Sequence, residues 1–117
     1  MLSDQDLHNL AMKTVGESLK KNGFEFLTVN SKLKKDPQFV CLKEKKLHFF
    51  IVRAIKYPEN PKMYDAVLAK KIKSHADNFN AKTYFAGVGL ANSKNYENEI
   101  NKNDPYVVNF DGWTLIN

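Results

Sequence analysis

A near-continuous apolar run from Leu47 to Ile55 constrains the fold of this chain more than any other segment. All of its residues except His48 and Arg53 are apolar, whereas a strand with one wet face alternates apolar and polar residues. The run is therefore typical of a central strand that is buried on both faces of a sheet. A chain of 117 residues is about one domain's worth, so we expect residues 1–117 to form a single domain around this strand.

Two helices are predicted, one on each side of the central strand. The first runs from Ser3 to Asn22, because apolar residues recur at helical spacing after a capping box of Ser3 and Asp6. The second is predicted to begin at Asn60, as its N-cap, and to end at Asn80.

Five further strands are predicted, namely Phe24–Val29, Phe39–Lys43, Lys82–Ala91, Tyr106–Phe110 and Trp113–Ile116. Glu44-Lys45-Lys46 is the predicted turn before the central strand, and Asp111-Gly112 suits a two-residue hairpin between the last two strands. The order is then α-β-β-β-α-β-β-β. Because a strand, a helix and another strand form a right-handed parallel crossover, this α/β chain is predicted to form a mixed central sheet flanked by two helices.

The chain is basic, with a net charge of +5, and Arg53 is its only arginine. A basic balance can attract nucleic acid, although lysine lacks the rigid fork with which arginine recognises phosphates and base edges. The candidate contacts for an anion or a partner are Arg53 and the six lysines Lys32, Lys34, Lys35, Lys43, Lys45 and Lys46. The sequence leaves open whether that partner is a protein or a nucleic acid.

No complete catalytic, metal or cofactor motif is present. The single cysteine, Cys41, excludes a disulfide within the chain and any cysteine-based metal site. His8, His48 and His75 belong to three different predicted elements, without the close spacing typical of metal ligands. Gly87-Val88-Gly89 is not followed by a helix, as a dinucleotide-binding loop would be, and indicates a bulge or a close backbone approach instead. We therefore expect no cofactor.

Neither export nor membrane insertion is expected. The N-terminal residues are acidic and lack an apolar signal segment. Arg53 and Lys56 break the longest apolar run far short of the roughly 20 residues that a membrane helix needs. We expect a cytoplasmic protein.

Three aromatic residues, Tyr106, Phe110 and Trp113, lie close together near the end of the sequence. The pattern favours a role in closing the core. If these side chains were exposed instead, they would form an apolar patch of the kind that mediates homo-oligomer formation.

The segment from Gly16 to Arg53 resembles the core of the restriction-endonuclease-like fold. It contains Gly16-Glu17 in the first helix, a strand, the charged loop Lys32–Asp36, and the hairpin that begins at Gln38. The small Holliday-junction-resolvase-related members of that fold carry an aspartate on the second strand. Their third strand carries an acid and a lysine two positions apart, and these groups hold magnesium and polarise the attacking water.

Along the present sequence, the family's lysine position falls on Arg53 and its third-strand acid on Ile51. The second-strand aspartate falls on Gln38, with Asp36 two residues earlier, and the helix glutamate matches Glu17. Ile51 cannot bind a metal, and Gln38 is a poor substitute for the carboxylate that a hard divalent cation prefers. The resemblance thus implies a catalytically inactive copy, with Glu17, Asp36, Gln38, Ile51 and Arg53 as the vestigial site.

Arg53 is the residue of greatest interest in this comparison. It emerges into solvent at the end of the strand, pairs with a carboxylate such as Glu17 or Asp36, or contacts an anion or a partner. Because a buried guanidinium needs a partner, the pattern favours the first two alternatives over a functional contact.

The whole chain is also similar to a family of short bacterial proteins that carry the name of the FAD- and NADH-binding component of the sodium-translocating NADH-quinone reductase. A true component of that kind also holds an iron–sulfur cluster on cysteines. With one cysteine and no dinucleotide fingerprint, the residues of this chain do not support that activity.

Three functions from different classes follow. The leading prediction is a non-catalytic α/β domain that binds protein or nucleic acid through its sheet edge or its lysines. A divalent-metal nuclease with a displaced site at Glu17, Asp36 and Glu44 is the first alternative. The second is an accessory of an NADH-quinone reductase complex, without a flavin or an iron–sulfur site of its own.

Overall fold

The computed structural model describes every residue from Met1 to Asn117. Its elements follow the order predicted from the sequence, α-β-β-β-α-β-β-β. They are α1 (Asp4–Lys21), β1 (Glu25–Val29), β2 (Phe39–Lys43), β3 (Lys46–Lys56), α2 (Ala66–Asp77), β4 (Lys82–Asn92), β5 (Tyr106–Asn109) and β6 (Thr114–Leu115).

The six strands form one mixed sheet in the order β1-β2-β3-β4-β5, with β6 also paired to β4. The first three strands are an antiparallel meander, and β3 and β4 are parallel. Because α2 connects the two parallel strands, the predicted parallel connection and the predicted mixed sheet are both confirmed.

The central strand β3 is buried on both faces, as its apolar run predicts. Phe50 and Val52 belong to the core that lies under α1, together with Val15 of that helix. Ile51 belongs to a second core under α2, where it packs with Ala69. The sheet therefore lies between two helices, one on each face.

Helix α1 begins as predicted, with a capping box. The Asp6 backbone N donates to Ser3 Oγ over 3.0 Å, and the Ser3 backbone N donates to Asp6 Oδ2 over 2.9 Å. At the other end, Gly23 has a φ of +84°, a conformation that glycine adopts without steric cost. Neither this helix nor α2 is long and apolar enough to cross a membrane.

The predicted start of the second helix at Asn60 is wrong. Asp65 is the N-cap of α2, because its side chain accepts hydrogen bonds from the backbone N of Val67 and of Leu68. Asn60 instead accepts a hydrogen bond from the Lys62 backbone within a local turn. Both side chains are able to cap a helix, and tertiary packing of the intervening segment against β4 decides between them.

Gly87 is the residue of β4 on which that segment packs. A Cβ added at Gly87 would overlap the carbonyl group of Pro61, and one added at Gly89 would lie 3.2 Å from Pro61 Cγ. Of the two alternatives predicted for Gly87-Val88-Gly89, the close backbone approach is confirmed, and the register of β4 with β3 continues without a bulge.

The predicted hairpin over Asp111-Gly112 is also wrong, since β5 and β6 do not pair with each other. Both strands run antiparallel to β4, with Asn109 opposite Gly89 and Leu115 opposite Tyr84. Strand β4 has eleven residues. Pairing along its open edge satisfies more backbone N–H and C=O groups than a short hairpin between β5 and β6 could. Gly112 does have a positive φ of 81°, but it lies in the connection between β5 and β6, each of which pairs with β4.

The aromatic residues near the end of the sequence close the core in part. Phe110 and Trp113 are half-buried against the core under α1, as the favoured interpretation predicts. Tyr106 is exposed.

Candidate functional site

Arg53 forms a bidentate ion pair with Asp36 where β3 extends beyond the end of β2. Nη1 of Arg53 donates to Oδ1 of Asp36 over 2.8 Å, and Nη2 donates to Oδ2 over 2.7 Å. The side chains are 16% and 5% exposed, respectively. Of the two carboxylates considered as partners of Arg53, the structure selects Asp36 and leaves Glu17 apart.

The ion pair keeps Asp36 ionised despite its burial. Burial raises the pKa of Asp36, but the hydrogen bonds and the charge of Arg53 together outweigh it, so the pKa lies below its ordinary value. Both carboxylate oxygens accept charge-assisted hydrogen bonds, and the adjacent guanidinium repels a cation. Asp36 therefore has a structural role as the partner of Arg53.

Gln38 extends the sheet at the point where β2 has ended. The last pairing of β2 with β3 is Phe39 with Phe50. Beyond it, the Val52 backbone N donates to Gln38 Oε1 over 2.7 Å, and the Val52 carbonyl accepts from Arg53 Nη1 over 2.9 Å. Two side chains therefore take the place of a neighbouring strand, and the position aligned with a metal-binding aspartate is part of the sheet edge.

His8 lies beside this ion pair and is completely buried. Neither of its ring nitrogens has a hydrogen-bond partner, and the same holds for Nε2 of Gln38. Burial lowers the pKa of His8, the charge of Arg53 lowers it further, and Asp36 opposes both. Gln38 lies close enough to Asp36 to help lower the pKa of that carboxyl.

Sequence reasoning did not single out His8 as part of this cluster. A signal was available, because His8, Ala11 and Val15 share one face of α1 at helical spacing. What the pattern could not show is which strand residue that face meets.

The remaining vestigial positions do not join the cluster. Ile51 is 2% exposed in the core under α2. Glu17 lies on the exposed side of α1 and forms no ion pair. No group of three or more His, Cys, Asp or Glu side chains lies close enough together to hold a metal ion.

Cys41 has the environment of an inert core residue. It is completely buried within β2, and burial raises the pKa of its thiol to about 12. A thiol in that state supplies almost no thiolate at neutral pH, and the thiolate is the form that attacks substrates or binds metals.

The six lysines singled out from the sequence occupy opposite ends of β2. Lys32, Lys34 and Lys35 lie in the loop before this strand, and Lys43, Lys45 and Lys46 lie at the turn that follows it. A strand of five residues spans about 16 Å, so the lysines form two groups and not one continuous cluster.

The second group belongs to a larger surface that we call the basic end. A Cβ added at Gly23 would lie 4.0 Å from Lys43 Cε, so the end of α1 lies at the same end of the sheet. Lys82 begins β4 directly opposite His48. The basic end comprises Lys20, Lys21, Lys43, Lys45, Lys46 and Lys82, and none of the six forms an ion pair.

The pKa of His48 is affected by the positive charges of this surface. Its pKa is lowered, first by burial and then by the charges of Lys82, Lys43 and Lys46, although a backbone hydrogen bond at Lys43 opposes the shift. Nδ1 of His48 lies 3.1 Å from the Tyr84 hydroxyl oxygen, which holds the ring in place. The lysines are therefore close enough together for their charges to add.

Comparison with known proteins identifies the family of this chain. The model of a family described as a domain of unknown function (DUF8840) matches residues 5–116, and the chain belongs to that family. No curated protein and no solved structure matches it.

Proposed function

We propose that this member of the DUF8840 family is a non-catalytic binding domain that binds the phosphate backbone of nucleic acid at its basic end. The observation that carries the proposal is the group of six lysines that meet at one end of the sheet without ion-pair partners. Each unpaired lysine can neutralise one phosphate and release its condensed counterion, which is the main source of sequence-independent affinity for DNA.

The local balance of charge favours a polyanionic partner. Three carboxylates, Glu25, Glu44 and Asp77, lie at or beside the basic end, and only Asp77 pairs with a lysine, namely Lys73, which is not one of the six. Lys43 also places its Nζ 4.9 Å from the centroid of the Phe24 ring, which orients that ammonium group without cancelling its charge.

The residues at the position of a nuclease site support a binding role without catalysis. The element order α1-β1-β2-β3-α2-β4, with β3 parallel to β4, supports the resemblance to the restriction-endonuclease-like fold. At the corresponding positions, Asp36 is held by Arg53, and Gln38 pairs with the Val52 backbone. Chemistry that relies on a divalent cation would need carboxylates free to coordinate it.

A displaced nuclease site would need Glu17, Asp36 and Glu44 to converge. Asp36 precedes β2 and Glu44 follows it, so the two carboxylates lie about one strand length, roughly 16 Å, apart. Oxygen ligands of one Mg²⁺ lie about 2 Å from the ion. The two carboxylates therefore cannot bind the same metal ion, which counts against the displaced nuclease site.

The role of an accessory to an NADH-quinone reductase complex has only the sequence resemblance in its favour. Its prediction is co-purification with membrane flavoproteins, and no flavin or iron absorbance from the chain itself. The inert environment of Cys41 is compatible with that role but does not favour it.

The test is fluorescence anisotropy with labelled single-stranded, duplex and branched DNA, at low salt and at about 150 mM salt. We expect binding that weakens steeply with salt and is unchanged by Mg²⁺. A parallel incubation with plasmid DNA and Mg²⁺ or Mn²⁺ is expected to leave the plasmid intact. Metal-dependent cleavage that disappears in Asp36→Ala would replace this proposal with the nuclease, and absence of binding at low salt would direct the search to protein partners.

A further inference from the structure

Strand β1 lies at one end of the strand order and presents an open edge. It pairs only with β2, so the backbone N–H and C=O groups on its outer side have no partner within the chain. All five of its residues are exposed. An edge of this kind can accept a further strand, because main-chain hydrogen bonds supply affinity for an extended peptide.

Phe26, Leu27 and Val29 supply apolar surface along this edge. Their exposed fractions are 37%, 51% and 53%. The ring of Phe26 packs against that of Phe39, with 5.4 Å between the centroids, which fixes it beside the edge. Leu27 has no opposite residue on β2, because the register of the two strands shifts between Phe26 and Thr28. These apolar side chains are therefore available to an added strand.

The charged loop that follows β1 gives this edge a positive charge. Lys32, Lys34 and Lys35 are exposed, and none of them forms an ion pair. Asp36, the one carboxylate of the loop, is the partner of Arg53. The three lysine charges at this end of β1 are therefore uncompensated, which favours an acidic partner.

Helix α1 holds the charged loop in place. Nε2 of Gln5 donates to the Ser31 carbonyl over 2.9 Å, and the Leu33 backbone N donates to Oε1 of Gln5 over 2.9 Å. Within the loop, the Lys35 backbone N donates to the Lys32 carbonyl over 3.1 Å. A loop fixed by these hydrogen bonds loses little conformational entropy when a partner binds.

Positive charge at both ends of β1 disfavours a second copy of the chain as the added strand. Lys43 of the basic end lies beside the start of β1, since Leu42 is opposite Glu25. Antiparallel pairing of two copies would bring the charged loop of one against the basic end of the other, and parallel pairing would bring two charged loops together. Like charges on paired strands are destabilising. The register shift also twists the edge, which discourages pairing between rigid sheets, whereas a flexible peptide can follow the twist.

We propose that the edge of β1 binds an extended acidic segment of a partner protein by β-strand addition. The backbone of that segment continues the sheet, its apolar side chains lie beside those of β1, and its carboxylates lie beside the lysines of the charged loop. The nucleic-acid site proposed above uses the basic end and not the charged loop, so either proposal can fail without the other.

The experiment is an NMR titration of the ¹⁵N-labelled protein with a synthetic peptide of alternating valine and threonine that carries two aspartates at each end. The control peptide carries two lysines at each end instead. We expect the acidic peptide to shift the amide resonances of β1 and of the charged loop. At low salt it should bind at least about fivefold more tightly than the control, the scale of one exposed ion pair. Equal binding of the two peptides, or no response of β1 to the acidic peptide at millimolar concentration, would overturn the proposal.

Two variants identify the groups responsible. Lys32→Gln/Lys34→Gln/Lys35→Gln is expected to remove most of the preference for the acidic peptide. Leu27→Asp is expected to weaken its binding about three- to tenfold, because a like charge then lies in the middle of the edge. Val67→Asp, at an exposed valine of α2, is the matched control and is expected to leave peptide affinity unchanged. Both aspartate substitutions are at exposed positions, so both variants are expected to fold. Unaltered peptide affinity in the triple variant and in Leu27→Asp would contradict the assigned edge.

Two further measurements exclude other occupants of the edge. Light scattering of the protein alone is expected to give the mass of a monomer, and a dimer that Leu27→Asp dissociates would replace the peptide with a second copy. DNA is expected to leave the β1 resonances unshifted, and DNA that displaces the acidic peptide from β1 would overturn the proposal in favour of nucleic acid.

Discussion

Asp36 and Arg53 lie seventeen positions apart in the sequence and are joined by two parallel hydrogen bonds of 2.8 and 2.7 Å. Lys62 and Asp111 form an ion pair of similar length, 2.9 Å, but their side chains are 64% and 78% exposed. The two ion pairs differ in burial and not in length. The exposed pair is expected to contribute less to stability, because water screens it and competes for its hydrogen bonds. This contrast supplies a matched test of what the Arg53 pair does.

Arg53→Met is expected to lower the free energy of unfolding by about 3 to 5 kcal/mol, because it leaves the Asp36 carboxylate buried without a partner. Asp111→Asn, the matched control, is expected to change stability by less than about 1 kcal/mol. Urea denaturation of both variants measures the difference. Equal effects would mean that the buried pair contributes no more than a surface contact.

The same pair predicts a dependence on acid. The pKa of Asp36 is lowered in the folded state, so its contribution to stability is fully present above the unfolded value of about 3.8 and is lost as the pH falls through the lower folded value. The stability difference between wild type and Asp36→Asn is therefore expected to shrink below about pH 4. A difference that stayed constant to pH 2 would contradict the low pKa.

His8→Leu is expected to leave stability at pH 8 within about 1 kcal/mol of wild type or to raise it, because an unpartnered buried polar ring is replaced by an apolar side chain. The pKa of His8 is lowered by burial, so the unfolded chain binds a proton more readily than the folded one. Wild type should then lose stability as the pH falls through 6.5, and the variant should lose less.

His48 requires a control in that experiment, since its pKa is also lowered. Urea denaturation at several pH values between 8 and 5, on wild type, His8→Leu and His48→Leu, separates the two histidines. A pH dependence of His8→Leu that matched wild type would contradict the lowered pKa of His8.

Gly87→Ala is expected to destabilise the protein by about 1 to 3 kcal/mol, because the added Cβ overlaps the Pro61 carbonyl and the backbone must move. Gly16→Ala is the control. Its Cβ would lie 3.4 Å from Phe39 Cζ, an ordinary contact, and alanine in a helix is favoured by about 0.5 to 1 kcal/mol. Thermal melts of the two variants should shift in opposite directions.

The sequence was sufficient for the fold wherever a local pattern and the tertiary structure agree. The apolar run of β3, the capping box at Ser3 and the strand–helix–strand crossover each predicted what is found. The two errors, at Asn60 and at Asp111-Gly112, arose where a local signal was sound but packing against β4 offered a better alternative. Local propensity cannot register that competition.

The candidate site was predictable only in part. Arg53 stood out as a lone arginine in an apolar strand, and Asp36 was one of two partners considered. Neither the edge pairing formed by Gln38 nor the buried position of His8 follows from spacing, because both depend on where β2 ends and which face of α1 meets that edge. The six lysines from Lys32 to Lys46 are close in sequence, but β2 lies between them and places them in two groups at its opposite ends.

The central claim is that the basic end binds nucleic acid, and the most direct test compares two triple variants of equal charge by DNA anisotropy over a range of salt concentrations. The variant Lys43→Gln/Lys45→Gln/Lys46→Gln alters the basic end, and Lys32→Gln/Lys34→Gln/Lys35→Gln alters the other group. We predict that the first reduces the slope of log K against log salt by about 2 to 3 and the second leaves it nearly unchanged. Equal reductions in both variants, or none in either, would contradict a localised site and reduce the net charge of +5 to a role in solvation.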